Sequence, residues 1–147
     1  MKPIKQFEEF VSSGIVKKQA PDISRANFLV NESQKSYLFL SNVKKSLGIS
    51  DENANAIIKM CYDIVMELVR AKMLLDGYNA SGFGAHEAEV SYVRKLGFSE
   101  NEVQFLDQLR YFRNGVLYYG KVLDKKYAET ALTFLEKIYV ELIDLLK

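Results

Sequence analysis

Residues 57–75 read IIKMCYDIVMELVRAKMLL, and their apolar spacing decides the fold class. Ile57, Cys61, Ile64, Leu68, Ala71 and Leu75 recur at steps of four, three, four, three and four. That is the period of a helix with a bundle-type seam. A second row, Ile58, Tyr62, Val65 and Val69, widens the apolar stripe enough to face two neighbours, so this helix is expected at the centre of a bundle. Ser50 is read as its opening residue.

The same period extends outward on both sides. Upstream, Asp22 is a predicted N-cap, and Ala26, Val30, Ser33, Tyr37, Leu40, Val43 and Leu47 follow at spacings of four and three, closed by Gly48. Before them, Ile4, Phe7 and Val11 share a face until Ser12-Ser13-Gly14, and Lys17-Lys18-Gln19-Ala20-Pro21 reads as a basic linker. Downstream, the glycines of Asp76–Gly84 break the pattern, and a short helix is expected from about Ala85 to Lys95, ending at Gly97. Ser99-Glu-Asn-Glu102 is a capping box. The helix it opens is read through Phe105, Leu109, Phe112, Val116, Tyr119 and Leu123. A last helix runs from about Tyr127, with Ala131, Leu135, Ile138, Leu142 and Leu145 inward and Glu129, Glu136 and Asp144 outward. Strand-type alternation is absent from this reading. The expected fold is all-α: an up-and-down antiparallel bundle of four to five helices over residues 22–147, preceded by a short amphipathic arm and linker over 1–21, the arm docked on its own bundle or on that of a second copy.

Composition agrees. The chain has 147 residues with only two Pro and eight Gly, close to half the average usage, so turns are few and elements long. One Cys excludes an internal disulfide framework, and the single His86 excludes a two-histidine metal motif within one chain; no metal and no cofactor are implied. Net charge is +1, which gives no global field toward nucleic acid or an anionic membrane. Its distribution is uneven: residues 1–50 carry eight Lys/Arg against four Asp/Glu, and residues 51–147 carry twelve against fifteen. The longest charge-free run is the nine residues Gly77–Ala85, too short to span a bilayer, and Glu8 and Glu9 interrupt the only apolar patch near the N-terminus. A cytoplasmic protein without a membrane partner is expected.

One helix face is unusual. With Val116 at the centre of its seam and 100° per residue, Arg113 falls at the seam's edge and Asp107, Tyr111, Asn114 and Tyr118 fall opposite. A solvated face normally carries Lys, Glu and Gln, whereas tyrosine favours half-burial with its hydroxyl satisfied. Asp107, Tyr111, Asn114 and Tyr118 therefore read either as a dimer face or ligand wall, or as ordinary packing against the arm or the short helix.

The run Leu109-Arg-Tyr-Phe-Arg-Asn-Gly-Val-Leu-Tyr-Tyr-Gly120 resembles the signature helix of the HEPN superfamily, small helical-bundle domains in which an Arg, usually followed by a polar residue, stands a few positions ahead of a His. Arg113-Asn114 match its first half, and Tyr118 or Tyr119 fills the His position. Leu74-Leu-Asp-Gly-Tyr-Asn and Ala85-His-Glu-Ala are similar to the family's Gly-Tyr loop and His-bearing helix start. The likeness covers roughly residues 22–147 and leaves the arm outside.

In active members the resemblance implies a metal-independent endoribonuclease, with Arg and His of two subunits meeting at a dimer interface. The chemistry needs a base for the RNA 2′-hydroxyl, an acid for the leaving oxygen and a guanidinium for the charge on phosphorus. Arg113 suits the last role, because its planar fork matches two phosphate oxygens. Tyr118 and Tyr119 suit proton transfer poorly, since a phenol ordinarily titrates near pH ~10. His86 could supply an imidazole, although the stripe His86, Val90, Val93 equally reads as a packed or capping histidine. Arg110, Arg113, Asn114 and Lys121 are the candidate phosphate-binding residues, within a basic cluster that also includes Lys125 and Lys126. The expected function is a catalytically degenerate, dimeric HEPN-like module. It would engage a nucleotide, an RNA phosphate or, as the family's gene pairs imply, a minimal nucleotidyltransferase partner of toxin–antitoxin or stress-response type. The alternative is an endoribonuclease toxin using Arg113 with a substituted acid/base.

Three weaker features carry plainer readings. Gly77, Gly82 and Gly84 could cradle a phosphate but lack a P-loop context and read as a connection. Asp63 and Glu67 form a carboxylate pair on one face, with Glu67–Arg70 read as a helix-face ion pair. Cys61 reads as an inert core residue.

Overall fold

A computed structural model describes residues 3–115 and 123–147. Its elements are α1 (Phe7–Ser12), β1 (Val16–Lys18), α2 (Ile23–Ser46), α3 (Ala54–Leu75), β2 (Tyr78–Ala80), α4 (Ala85–Tyr92) with a 3₁₀ turn over Val93–Leu96, α5 (Glu100–Arg113) and α6 (Lys125–Leu145). The all-α bundle is as expected, and α3 is its centre: it packs against α2, α4, α5 and α6. Both apolar rows of α3 are buried from Ile57 to Ala71.

The caps show why the helices start where they do. Asp22 accepts from the Arg25 amide, which fixes the start of α2. Ser99 and Glu102 form the capping box of α5 reciprocally, at 3.2 and 2.9 Å. α3 begins at Ala54, four residues later than Ser50, because Ser50 and Asn53 bond each other's backbone amides and hold the intervening turn. Asp124 caps α6 through the Tyr127 amide, so Lys125 and Lys126 lie in the first turn of α6.

The structure departs from the sequence reading in three places. First, the N-terminal segment docks on its own bundle, but as part of the main hydrophobic core and not as an arm outside it: Ile4, Phe7, Phe10 and Val16 are all buried. β1 pairs antiparallel with β2 in the register Val16 to Ala80 and Lys18 to Tyr78, a small ladder where no strand was expected. The second departure is at α5, which ends at Arg113, with Asn114 as C-cap and Gly115 at φ +81°. An Asn-Gly pair supplies the left-handed residue that terminates a helix, and that signal outweighs the apolar spacing beyond it. Val116, Tyr118, Tyr119 and Lys121 lie outside the described residues. Third, Leu145, read as inward, is exposed, one turn beyond the last buried position, Leu142.

Gly77 is the glycine the ladder depends on. Its φ is +86°, and a Cβ there would stand 2.8 Å from the Gln19 carbonyl oxygen, which leaves no room for a side chain. Gln19 donates to the Gly77 carbonyl from the same strand connection. Gly77→Ala is expected to cost about 1–3 kcal/mol through left-handed strain plus the clash. Chemical denaturation of the variant measures it.

Candidate functional site

A cleft of about 440 Å³ opens where α3, the start of α4 and the end of α5 meet. It is lined by Tyr62, Asp63, Met66, Glu67 and Arg70 of α3, His86 of α4, and Arg113 and Asn114. Three of the expected site residues, His86, Arg113 and Asn114, are thus brought together, although α4 and the end of α5 are far apart in sequence.

Two of the lining residues, Arg70 and His86, are held by a buried charge behind them. Glu89 of α4 is buried and accepts from Arg70 at Nε (2.6 Å) and Nη2 (3.1 Å), a bidentate fork. Those hydrogen bonds raise the Arg70 pKa, against burial. His86 Nδ1 lies 3.2 Å from the same carboxylate; because the carboxylate accepts, Nδ1 is assigned the proton and Nε2 is the free ring nitrogen. The His86 side chain is 62% exposed, so it is the opposite of the packed histidine that the Val90 and Val93 stripe suggested. Arg70 spends its guanidinium on Glu89, at the geometry a helix-face partner could not offer, and the expected Glu67–Arg70 ion pair is not formed.

Behind the cleft a second pair is enclosed. Asp107 is buried and accepts from Arg110 Nε at 2.7 Å. Of the two readings of its row, Asp107 takes ordinary packing within the chain and is not open for a dimer face, and Arg110 supplies the counter-charge that lets a carboxylate enter. Arg110 also lies over the Tyr111 ring, 4.7 Å from its centre. Burial opposes the Arg110 charge, but the Asp107 hydrogen bond and charge hold its pKa above the ordinary value. Arg110 is therefore engaged internally, which removes it from the phosphate-binding set. Of the proposed dimer face, Tyr111 is half-buried, Asn114 is exposed and Tyr118 lies outside the described residues.

The working groups stand on the rim. Arg113 Nε donates to Asp63 at 3.0 and 3.3 Å, with both side chains near half exposed. Glu67 has a raised pKa, from burial first and from the neighbouring Asp63 charge second, against Arg70. The Tyr62 hydroxyl is the unmet demand of the cleft: it is buried, lines the cleft, and has no hydrogen-bond partner among the described residues. Burial, then the Glu89 charge, push its pKa well above that of free tyrosine, so it is a neutral donor. A buried hydroxyl without a partner costs about 1–3 kcal/mol, a cost a ligand or water in the cleft can relieve.

Cys61 is buried and its thiol is pushed up to about 12, first by burial, so it is inert as expected. Gly77 and Gly84 shape the β2 connection, in which Gly84 caps α4 at φ +90°. No group of three or more His, Cys, Asp or Glu among the described residues is placed to hold a metal ion. No helix among them is long and apolar enough to cross a membrane. Sequence reasoning missed Tyr62 and Glu89 as site residues, the first because it lay on an apolar row. For Glu89, the only signal was its place one helical turn after His86. Comparisons with family models, with curated proteins and with solved structures find no match to this chain.

Proposed function

We propose that this chain is a HEPN-like binding module that takes a nucleotide, or one nucleotide unit of an RNA, in the cleft between α3, α4 and the end of α5. The observation that carries the reading is that Arg113, Asn114 and His86 line one cleft with Tyr62, whose buried hydroxyl has no hydrogen-bond partner among the described residues. Arg113 is the phosphate-holding group. Its resting pair with Asp63 is half exposed, and such pairs are worth about 0–1 kcal/mol, so a phosphate can displace the carboxylate cheaply.

The rest of the cleft selects the ligand. Asp63 and Glu67 oppose Arg70 and Arg113, so the lining charges cancel. A balanced site disfavours a bare polyanion. A nucleotide fits better, since its phosphate meets Arg113 while its hydroxyl and amino donors meet Asp63 and Glu67. Its acceptors meet Tyr62. The resemblance also supports a minimal nucleotidyltransferase as protein partner, and a single, buried cysteine fits a reducing, cytoplasmic setting.

Calorimetric titration with nucleoside monophosphates, inorganic phosphate and short RNA tests this. Arg113→Ala should weaken nucleotide binding by about tenfold or more, the loss typical of a charge-assisted contact. Tyr62→Phe should weaken it less and leave the fold intact. A wild-type protein that binds none of these probes overturns the reading.

The second reading is the metal-independent endoribonuclease, favoured by one contact. With Nδ1 held on Glu89, His86 presents the free-nitrogen imidazole that proton transfer needs. Under this reading a mixed RNA pool in EDTA is cleaved by the wild type and spared by both Arg113→Ala and His86→Ala; an intact pool leaves the binding module alone.

A further inference from the structure

Among the described residues, much of the outward side of α2 is exposed, and it carries little charge. Residues 27–43 hold only two charged side chains, Glu32 and Lys35, which pair with each other at 3.3 Å. In the same stretch Phe28, Leu38 and Phe39 are 61%, 64% and 57% exposed. A solvated helix face ordinarily carries charge in proportion to its exposure. The inward side is fully used: Ala26, Ser33 and Leu40 are buried, and Ser33 donates to the Ile64 carbonyl of α3 at 3.1 Å.

The order of the outward residues says what covers them. Phe28, Glu32, Lys35 and Phe39 step by four, three and four, which places them on one stripe, roughly 130° around the helix from the Ala26, Ser33, Leu40 row at 100° per residue. Read backwards, the stripe becomes Phe, Lys, Glu, Phe. An antiparallel helix bearing the same stripe therefore meets it with aromatic on aromatic at both ends and opposite charges on opposite charges between. A two-fold interface needs this self-complementarity, because each residue meets its symmetry mate's counterpart.

We propose that a second copy of the chain docks on this face, with α2 packed antiparallel to α2, Phe28 against the partner's Phe39 and Glu32 against the partner's Lys35. Parallel packing would set Lys35 beside the partner's Lys35 and is disfavoured. The inference rests on α2 alone and is independent of the cleft's ligand. α2 reaches the rest of the bundle mainly through α3, and none of the residues lining the cleft belongs to α2.

Sedimentation velocity across a concentration series tests it. The wild type should sediment as a dimer of twice 16.8 kDa. Lys35→Glu, which sets Glu against Glu at two places in each dimer, should raise the dissociation constant about tenfold or more. The double swap Glu32→Lys with Lys35→Glu rebuilds the complementary order and should restore the dimer, while Phe39→Asp should give monomer. Lys35 and Phe39 are exposed in the monomer and Glu32 is half-buried, and circular dichroism verifies that each variant is folded. A monomeric wild type overturns the proposal, as it would if the face served a lipid surface or an unrelated protein. A dimer indifferent to Lys35→Glu, or one that the swap fails to restore, overturns it as well.

Discussion

Arg70→Met is expected to lower the unfolding free energy by about 3–5 kcal/mol, the cost of stranding a buried charge. The reason is Glu89, whose side chain is only 4% exposed and takes two of its hydrogen bonds from Arg70. Without the guanidinium, its carboxylate retains His86 alone, an exposed ring that cannot replace a bidentate fork. The cost belongs to the unpaired ion rather than to the pair, so removing both partners should be far milder. Arg70→Met with Glu89→Leu should recover most of the loss, because a buried ion pair replaced by apolar groups of similar volume is often near neutral. Urea denaturation of the single and double variants measures both values. A single variant within about 1 kcal/mol of wild type would mean that Glu89 is not enclosed as described, since only exposed pairs are that weak. The pair also serves the site, because the carboxylate that engages Arg70 also orients His86 at the cleft.

How far the sequence carried can be read from these same residues. The α3 seam was legible because every buried position obeys one period over many turns, and the Ser99–Glu102 capping box was legible because it is a local rule. The end of α5 was not. Apolar residues continue in register past Asn114-Gly115, and stepping the helix from Val116 leaves Asp107 open between an interface face and ordinary packing, which only its burial decides. Arg113, Asn114 and His86 could be nominated by residue type. Their meeting could not, since it depends on where α4 comes to rest against α3. Arg70 was matched to Glu67 on its own helix face, while its actual partner lies 19 residues on, across a turn. Local rules were readable, and pairings set by tertiary packing were not.

The N-terminal segment tests that distinction most sharply. Phe7→Ala is expected to cost about 3–5 kcal/mol, the range for emptying a large aromatic site in a core. Phe7 is 2% exposed, with its ring 4.7 Å from that of Tyr92 and 5.1 Å from that of Tyr78. It therefore bridges α1 to β2 and to α4. The segment is held at a second point by Arg94, which donates to the Ile4 and Lys5 carbonyls at 2.9 and 2.8 Å while its fork also engages Glu100. The segment holds only a six-residue helix and a three-residue strand, too short for either period to register in the sequence, so an arm is the natural reading. An appendage would melt separately and leave the bundle unchanged. A core element must instead lower the single cooperative transition of the whole domain. The effect should reach the cleft too, because Tyr92 donates to Asp76 and ends the helix that carries His86 in its first turn and Glu89 in its second. Thermal unfolding of Phe7→Ala followed by far-UV and tyrosine signals should thus give coincident transitions at a lower temperature. Two separated transitions, with the bundle's at the wild-type temperature, would return the segment to the status of an arm.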